Sequence, residues 1–230
     1  MSVGKSEKFQ QLDTFKNVFQ NNKEPFNQLY DCNDEVIDYK GKWRAEYFKN
    51  ENPLVLELAC GEGYYTIAMA QQNPNINLIG IDVKGNRIWQ GAKNAIEAEL
   101  PNVAFQRTLI ESIDDFFAEG EVDEIWITFP DPFLKYRRMR KRLTYTRFLL
   151  IYQKILKKGG IVNLKTDSTE LYEFSKEMLE LHKCNVITDN NDIYGNGHDE
   201  PLLEIKTRYE GMHLKDNRTI KYLKFSFKDE

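Results

Sequence analysis

Three groups of residues in this chain have the types and spacing to do chemistry. The first is "TFPDPF", Thr128 to Phe133, in which two prolines flank Asp131. Proline locks φ at about −65°, so this carboxylate is held rigidly, as positioning a reactant requires. The second is "ELACGEG", where Glu57 precedes a turn containing Gly61 and Gly63, with Asp82 following later. Glycine lets the backbone approach a ligand where a Cβ would collide, and Asp82 is placed to accept both hydroxyls of a ribose. The third is "LKTD", which sets Lys165, Thr166 and Asp167 in a row.

Directly after the Pro-Asp-Pro corner comes a cationic tongue. Seven basic side chains fall between Lys135 and Arg147 without one acid, and five of them are arginine. The whole chain carries a net charge of -4, so without the tongue it would stand at about −11. The tongue is therefore a local feature that invites a polyanionic partner. Arginine favours phosphate through its planar fork. The plainer alternative is a solvated loop with scattered basic residues.

These groups need elements to position them, and the chain alternates strand and helix signals. "LVLELACGEG" is a buried-strand pattern running into glycines, followed by the helix "YYTIAMAQQN". "INLIGID" is a second strand. "KGNRIWQGAKNAIEAEL" is a helix with Ile88, Ala92, Ala95 and Ile96 on one face. "NVAFQRT" and "EIWITF" are the third and fourth strands. "RFLLIYQKIL" is a helix stopped at Gly159-Gly160, "IVNLKTD" the fifth strand, and "STELYEFSKEMLELH" a helix N-capped near Ser168. "CNVIT" and "TIKYLKFSF" close the chain as strands, the latter with its lysines outward. "NDIYGNGHDE" reads as a turn-rich, mobile loop.

Strands alternating with helices predict a mainly parallel sheet covered on both faces. In such sheets ligands sit beyond the strand carboxyl ends, near the switch point. Gly61, Gly63, Asp82, Asp131 and Lys165–Asp167 all fall at those ends. Residues 1–50 are polar and aromatic-rich, with helix-like spacing in "FQQLDTFKNVF". They read as an N-terminal extension packing on a main domain of residues 51–230.

Composition narrows the class. Apolar residues make up 41% and aromatic residues 13%, enough for a core. Cys32, Cys60 and Cys184 share no metal or redox spacing, and His182, His198 and His213 form no ligand cluster, so neither a zinc site nor a disulfide framework is expected. No signal peptide is visible and no apolar run approaches the roughly 18–20 residues that span a bilayer. A cytoplasmic protein without membrane or metal is the expectation.

The glycine turn and strand-end acid fit two cofactors. A nicotinamide dinucleotide needs G-x-G-x-x-G, and "GEGYYT" puts Thr66 where the third glycine should stand. Glu57 would also sit badly against a pyrophosphate. A carboxylate there suits a ligand with an ammonium and a sulfonium, and S-adenosylmethionine has both.

The segment is similar to motif I of class I methyltransferases, with Ala59 in place of the customary first glycine. "FPDPF", the basic "KRLT" that follows, "LKTD" and "TRYEGM", taken together and in this order, resemble the tRNA (guanine-N7)-methyltransferase family over residues 52–227. The resemblance implies an α/β, Rossmann-like class I methyltransferase fold: a mostly parallel seven-stranded sheet with helices on both faces. It implies transfer of a methyl group from S-adenosylmethionine to N7 of a guanine in tRNA, guanine 46 of the variable loop. Carried over by motif, Glu57, Gly61, Gly63, Asp82, Leu109, Ile110 and Asp131 border the cofactor, with Asp131 also catalytic. Lys135, Asp167, Thr207, Arg208, Tyr209 and Glu210 contact the RNA. Phe133 and Leu134 depart from the family's Trp and Pro, and Leu109 stands where an acid usually receives the adenine amino group; backbone groups at Leu109 and Ile110 take its place or, as the alternative, Glu111 two places on. Tyr136 or Phe133 could stack on a displaced base. The rival functions are a methyltransferase acting on another RNA or a small molecule, and a non-catalytic RNA-binding relative. The oligomeric state is left open.

Overall fold

Leu54 to Leu58 is apolar except for Glu57, and every side chain in it is buried. A run like this suits a strand covered on both faces. In the computed structural model, which describes residues 3–207, 210–211, 216 and 218–228, it lies inside a single ten-stranded sheet. The strands are β1 (Val18–Gln20), β2 (Leu29–Tyr30), β3 (Val36–Ile37), β4 (Leu54–Leu58), β5 (Asn77–Asp82), β6 (Val103–Arg107), β7 (Val122–Thr128), β8 (Leu156–Thr166), β9 (Asn185–Asn190) and β10 (Lys221–Ser226). Across the sheet they run β3-β2-β1-β6-β5-β4-β7-β8-β10-β9. From β1 through β8 the neighbours in that row are parallel, while β10 lies antiparallel between β8 and β9. The chain lays β4, β5 and β6 outward in one direction and then returns to place β7 on the other side of β4. That reversal is the switch point, and it opens a crevice at the carboxyl ends of β4 and β7.

Side-chain alternation splits the core into two layers. Leu54, Leu56 and Leu58 join Ile79, Ile81, Ile125 and Ile127 on one face, under α4 (Thr146–Ile155) and α5 (Thr169–Leu181). Val55, Leu78, Phe105 and Trp126 face the other way, under α2 (Tyr64–Gln72) and α3 (Gly85–Glu97). The Ser168 side chain accepts the Leu171 N–H at 3.1 Å, so the hydroxyl does cap α5.

Several local expectations are corrected. The sheet has ten strands rather than seven because residues 18–37 supply β1 to β3, strands too short to show a period. The helix-like spacing near the start is used only as far as α1 (Lys5–Leu12), and "NVF" passes into β1. On α3 the buried face takes Trp89 with Ile88, Ala92 and Ala95, while Ile96 points to solvent. Helix α4 ends at Ile155 without a glycine; Gly159 and Gly160 lie inside β8, where the register against β7 shifts. Lys221 of β10 is buried, its ammonium donating to the carbonyls of Asp167 and Thr219, and Lys224 is half-buried against Glu200. Both faces of β10 are covered, so its lysines have no outward side. "NDIYGNGHDE" contains the short helix α6 (Ile193–Asn196), capped by the Asp192 carboxylate, with Ile193 packed into the core.

Candidate active site

The turn after β4 is the first wall of the crevice. Ala59, Gly61 and Gly63 all take positive φ, at 59°, 58° and 69°. A Cβ on Gly63 would stand 2.6 Å from the Phe105 ring, so only glycine lets the turn settle on β6. A Cβ on Gly61 would meet nothing, because that position faces open space. Ala59 holds a left-handed conformation that costs a non-glycine residue roughly 1–2 kcal/mol. Ala59→Gly is therefore expected to raise stability by about 0.5–1 kcal/mol, read as a higher urea midpoint at unchanged slope. A lower midpoint would show that packing of the Ala59 methyl group outweighs the backbone strain.

Glu57 is fully enclosed just behind this turn. Thr128 Oγ1 donates to one carboxylate oxygen at 2.6 Å. The other receives the Thr66 N–H at 2.8 Å and also the Thr66 hydroxyl. Burial pushes Glu57 up to about 7, against the pull of these three donors. Thr66, which displaces the third glycine of a dinucleotide motif, thus ties α2 to β4. Asp82 closes the turn from the end of β5: its oxygens accept the Gly61 N–H at 3.0 Å and the Lys84 N–H at 2.8 Å.

The second wall is the corner after β7. Phe129 and Phe133 flank the prolines with φ of 46° and 42°, so two bulky residues sit in the left-handed region, a strain that clusters at functional sites. The Phe129 N–H donates to the Lys165 carbonyl at 2.8 Å, which pins the corner to β8. Asp131 is exposed, and one of its oxygens accepts the Phe133 N–H at 3.2 Å. Arg142 belongs to the tongue in sequence, but it is buried and folds back on the corner. Its Nε donates to the Pro132 carbonyl at 3.0 Å, and its guanidinium lies 4.5 Å over the Phe174 ring. Arg147 is likewise used internally, paired with Glu111 at 2.9 Å. The tongue cations without a carboxylate partner among the described residues are thus Lys135, Arg137, Arg138, Arg140 and Lys141, all exposed on or beside a 3₁₀ turn spanning Tyr136–Lys141. Tyr136 is 85% exposed among them.

The late loop closes the third side. Lys165, at the end of β8, is wholly buried and donates to the carbonyls of Leu203 and Ile205 and to the Glu210 carboxylate, at 2.9, 3.0 and 2.9 Å. Glu210 is also wholly buried and accepts the Tyr194 hydroxyl at 2.7 Å. Thr207 Oγ1 accepts the Glu210 N–H at 3.1 Å. Asp167 is paired with Arg218 at 2.8 Å. Arg208 and Tyr209 lie outside the described residues.

Between these walls are two adjoining hollows. The larger, about 390 Å³, is lined by Asp82, Thr108, Leu109, Ile110, Glu111, Asp131, Phe133 and Lys141 among others. The smaller, about 90 Å³, is lined by Glu57, Gly61, Tyr64 and Thr207. Ala59, Arg87 and Phe129 border both. The structure therefore brings Glu57, Gly61, Asp82, Leu109, Ile110, Asp131 and Thr207 together, places Lys135 on the adjacent cationic turn, and puts Glu210 behind the loop. A bigger cleft of about 650 Å³, lined by Lys157, Gly159 and Phe227, lies at the amino end of β8, away from all of these residues. Thr66, Arg87 and Arg142 escape sequence reasoning as parts of the site's framework. Lys165, singled out in "LKTD", is part of that framework too, its ammonium turned inward to the late loop.

A sheet in the order β6-β5-β4-β7-β8-β10-β9, parallel but for the reversed β10, with a glycine turn and strand-end acid at its switch point, is the class I methyltransferase fold. Solved structures agree on that fold. A 16S rRNA methyltransferase, KamB, superposes with a TM-score of 0.63 at 14% identity, over 85% of this chain and 97% of that one. A 16S rRNA (adenine(1408)-N(1))-methyltransferase from Catenulisporales acidiphilia superposes at 0.56 and 13% identity, over 85% and 94%. A family model described as "Putative methyltransferase" matches residues 51–223. The tRNA (guanine-N(7)-)-methyltransferase of Porphyromonas gingivalis is 47% identical over 93% of this chain and 86% of its own length. That of Christiangramia forsetii is 44% identical over 99% of each. The chain belongs to the tRNA (guanine-N7)-methyltransferase family.

Proposed function

We propose that this chain transfers a methyl group from S-adenosylmethionine to N7 of a guanine in tRNA, guanine 46 of the variable loop. The observation that carries this reading is Asp131, exposed on a proline-fixed corner where a hollow with Asp82 meets a turn of five exposed cations. The hollow's volume lies within the roughly 300–1,000 Å³ typical of small-molecule sites, and the open space at Gly61 suits a ligand against the backbone. S-adenosylmethionine supplies an electrophilic methyl group on a sulfonium.

In this reading Asp82 receives the ribose hydroxyls, and Leu109 and Ile110 flank the adenine. Gly61 and Gly63 let the turn close on the ligand, and Glu57 faces the ammonium end. Guanine N7 already offers an in-plane lone pair, so no proton leaves before attack and no strong base is needed. Alignment and nearby negative charge matter instead, because the guanine becomes cationic as the methyl group arrives. Asp131, with Asp167 beside the late loop, supplies both by accepting hydrogen bonds from the guanine N1 and N2 groups. Lys135 and Thr207 hold the RNA, and Glu210 serves the same loop by anchoring it. A cytoplasmic setting follows from a tRNA substrate and agrees with three free cysteines.

Drawing a stacked guanine out of the tRNA core costs a few kcal/mol, and phosphate contacts to the tongue offset it. Replacing Arg137, Arg138 and Arg140 together with glutamine is expected to weaken tRNA binding. The slope of log affinity against log salt should fall by about 1 for each phosphate left unneutralised. An unchanged affinity across a salt series would remove the tongue from binding. The function itself is tested by incubating bulk tRNA with labelled donor and mapping modified guanines by borohydride–aniline cleavage. Label at one variable-loop guanine is expected; label elsewhere, or none, would overturn the assignment.

A further inference from the structure

Arg87 is the one cation among the described residues that borders both hollows. It lies in the first turn of α3, exposed, and no carboxylate pairs with it among the described residues. Lys84 and Lys141 line the larger hollow only, so Arg87 is the sole cation among the described residues lining the smaller one. The other charged groups of the smaller hollow are acids, Glu57 and Glu62, while the larger holds Asp82, Glu111 and Asp131 beside Lys84 and Lys141. Among the charged side chains lining the smaller hollow, Arg87 is the one that would attract an anionic ligand group.

An α-amino acid carries one charge of each sign. The smaller hollow offers carboxylates for an ammonium and a single guanidinium for a carboxylate. With the ribose end fixed at Asp82 in the larger hollow, the amino-acid arm is the part of the donor that reaches the smaller one. We propose that Arg87 anchors the α-carboxylate of the amino-acid arm of S-adenosylmethionine, an inference that rests on the donor assigned above. The planar guanidinium can meet a carboxylate with two parallel N–H···O bonds, a geometry lysine lacks.

Titration calorimetry on the full chain tests this with two ligands: S-adenosylhomocysteine, and S-adenosyl-3-thiopropylamine, which keeps the ammonium but lacks the carboxylate. For Arg87→Gln the Kd of S-adenosylhomocysteine is expected to rise roughly 10- to 100-fold, the loss of a charge-assisted pair. The Kd of the amine is expected to stay the same, and Arg87→Lys to fall between. Arg87 is exposed, so an unchanged melting temperature should accompany the loss. Equal losses for both ligands, no loss for either, or a loss confined to tRNA affinity would overturn the anchor, the last by making Arg87 a phosphate contact. If the parent chain binds S-adenosylhomocysteine and Arg87→Gln binds it equally well, the anchor alone fails. If the parent chain does not bind it, the donor assignment fails and the anchor with it.

Discussion

Asp131→Ala is expected to cut methyl transfer to tRNA by at least about 10²–10³-fold, the range for removing a group that stabilises transition-state charge, with the protein still folded. The fold should survive because the side chain is exposed and its one hydrogen bond within the described residues is to the Phe133 N–H. An exposed substitution of this kind costs about 0.5 kcal/mol or less. The corner itself is held by other groups: Pro130 and Pro132, the Phe129 bond to Lys165, and Arg142 on the Pro132 carbonyl. In the proposed reaction, what Asp131→Ala removes is a fixed negative charge beside a purine that turns cationic. Asp131→Asn separates charge from shape, because the amide can still accept a hydrogen bond but cannot offset the developing charge. It should bind S-adenosylhomocysteine like the parent and remain slow at saturating tRNA. Parental turnover by purified Asp131→Ala would take this carboxylate out of the chemistry.

Much of this site is legible in the sequence because parallel sheets place their chemistry where strands end. The apolar run into Gly61 and Gly63, the acid closing β5 and the proline pair after β7 each announce a strand terminus locally, and topology then gathers the termini into one crevice. The hydroxyl before α5 is legible for the same reason, since a cap is a bond over three residues. What stays hidden depends on distant partners. Arg142 looks like one more tongue residue until it is seen to bond the Pro132 carbonyl. Lys221 alternates like an outward residue, yet β10 is enclosed and its ammonium turns to the Asp167 and Thr219 carbonyls. Strands β2 and β3, of two residues each, carry no period at all. Glu57 reads as a ligand carboxylate from its neighbours in sequence; only the fold adds that Thr66 and Thr128 also donate to its two oxygens.

Lys165 and Glu210 form the pair whose disruption should cost the most stability. Both are wholly buried, and the ammonium directs its three donors to Glu210 and the carbonyls of Leu203 and Ile205. Burial holds the Lys165 ammonium below the usual lysine range, while Glu210 pulls it back up. Lys165→Met would leave the Glu210 carboxylate with Tyr194 as its one side-chain partner among the described residues and take the Lys165 donor from two carbonyls, a loss of about 3–5 kcal/mol for breaking a buried pair. At this chain length that corresponds to a fall in melting temperature of roughly 6–20 °C. Removing both charges, as in Lys165→Met with Glu210→Leu, should recover part of the loss, because no buried charge is then left unpaired. The effect should also reach the site. The pair ties β8, whose Lys165 carbonyl holds the Phe129 N–H, to the loop that brings Thr207 to the smaller hollow. Lys165→Met should therefore bind S-adenosylhomocysteine more weakly and expose residues 201–207 to proteolysis at temperatures where the rest of the sheet is intact. An unshifted melting temperature together with an uncut loop would mean that packing alone, and not the buried ion pair, fastens that loop to β8.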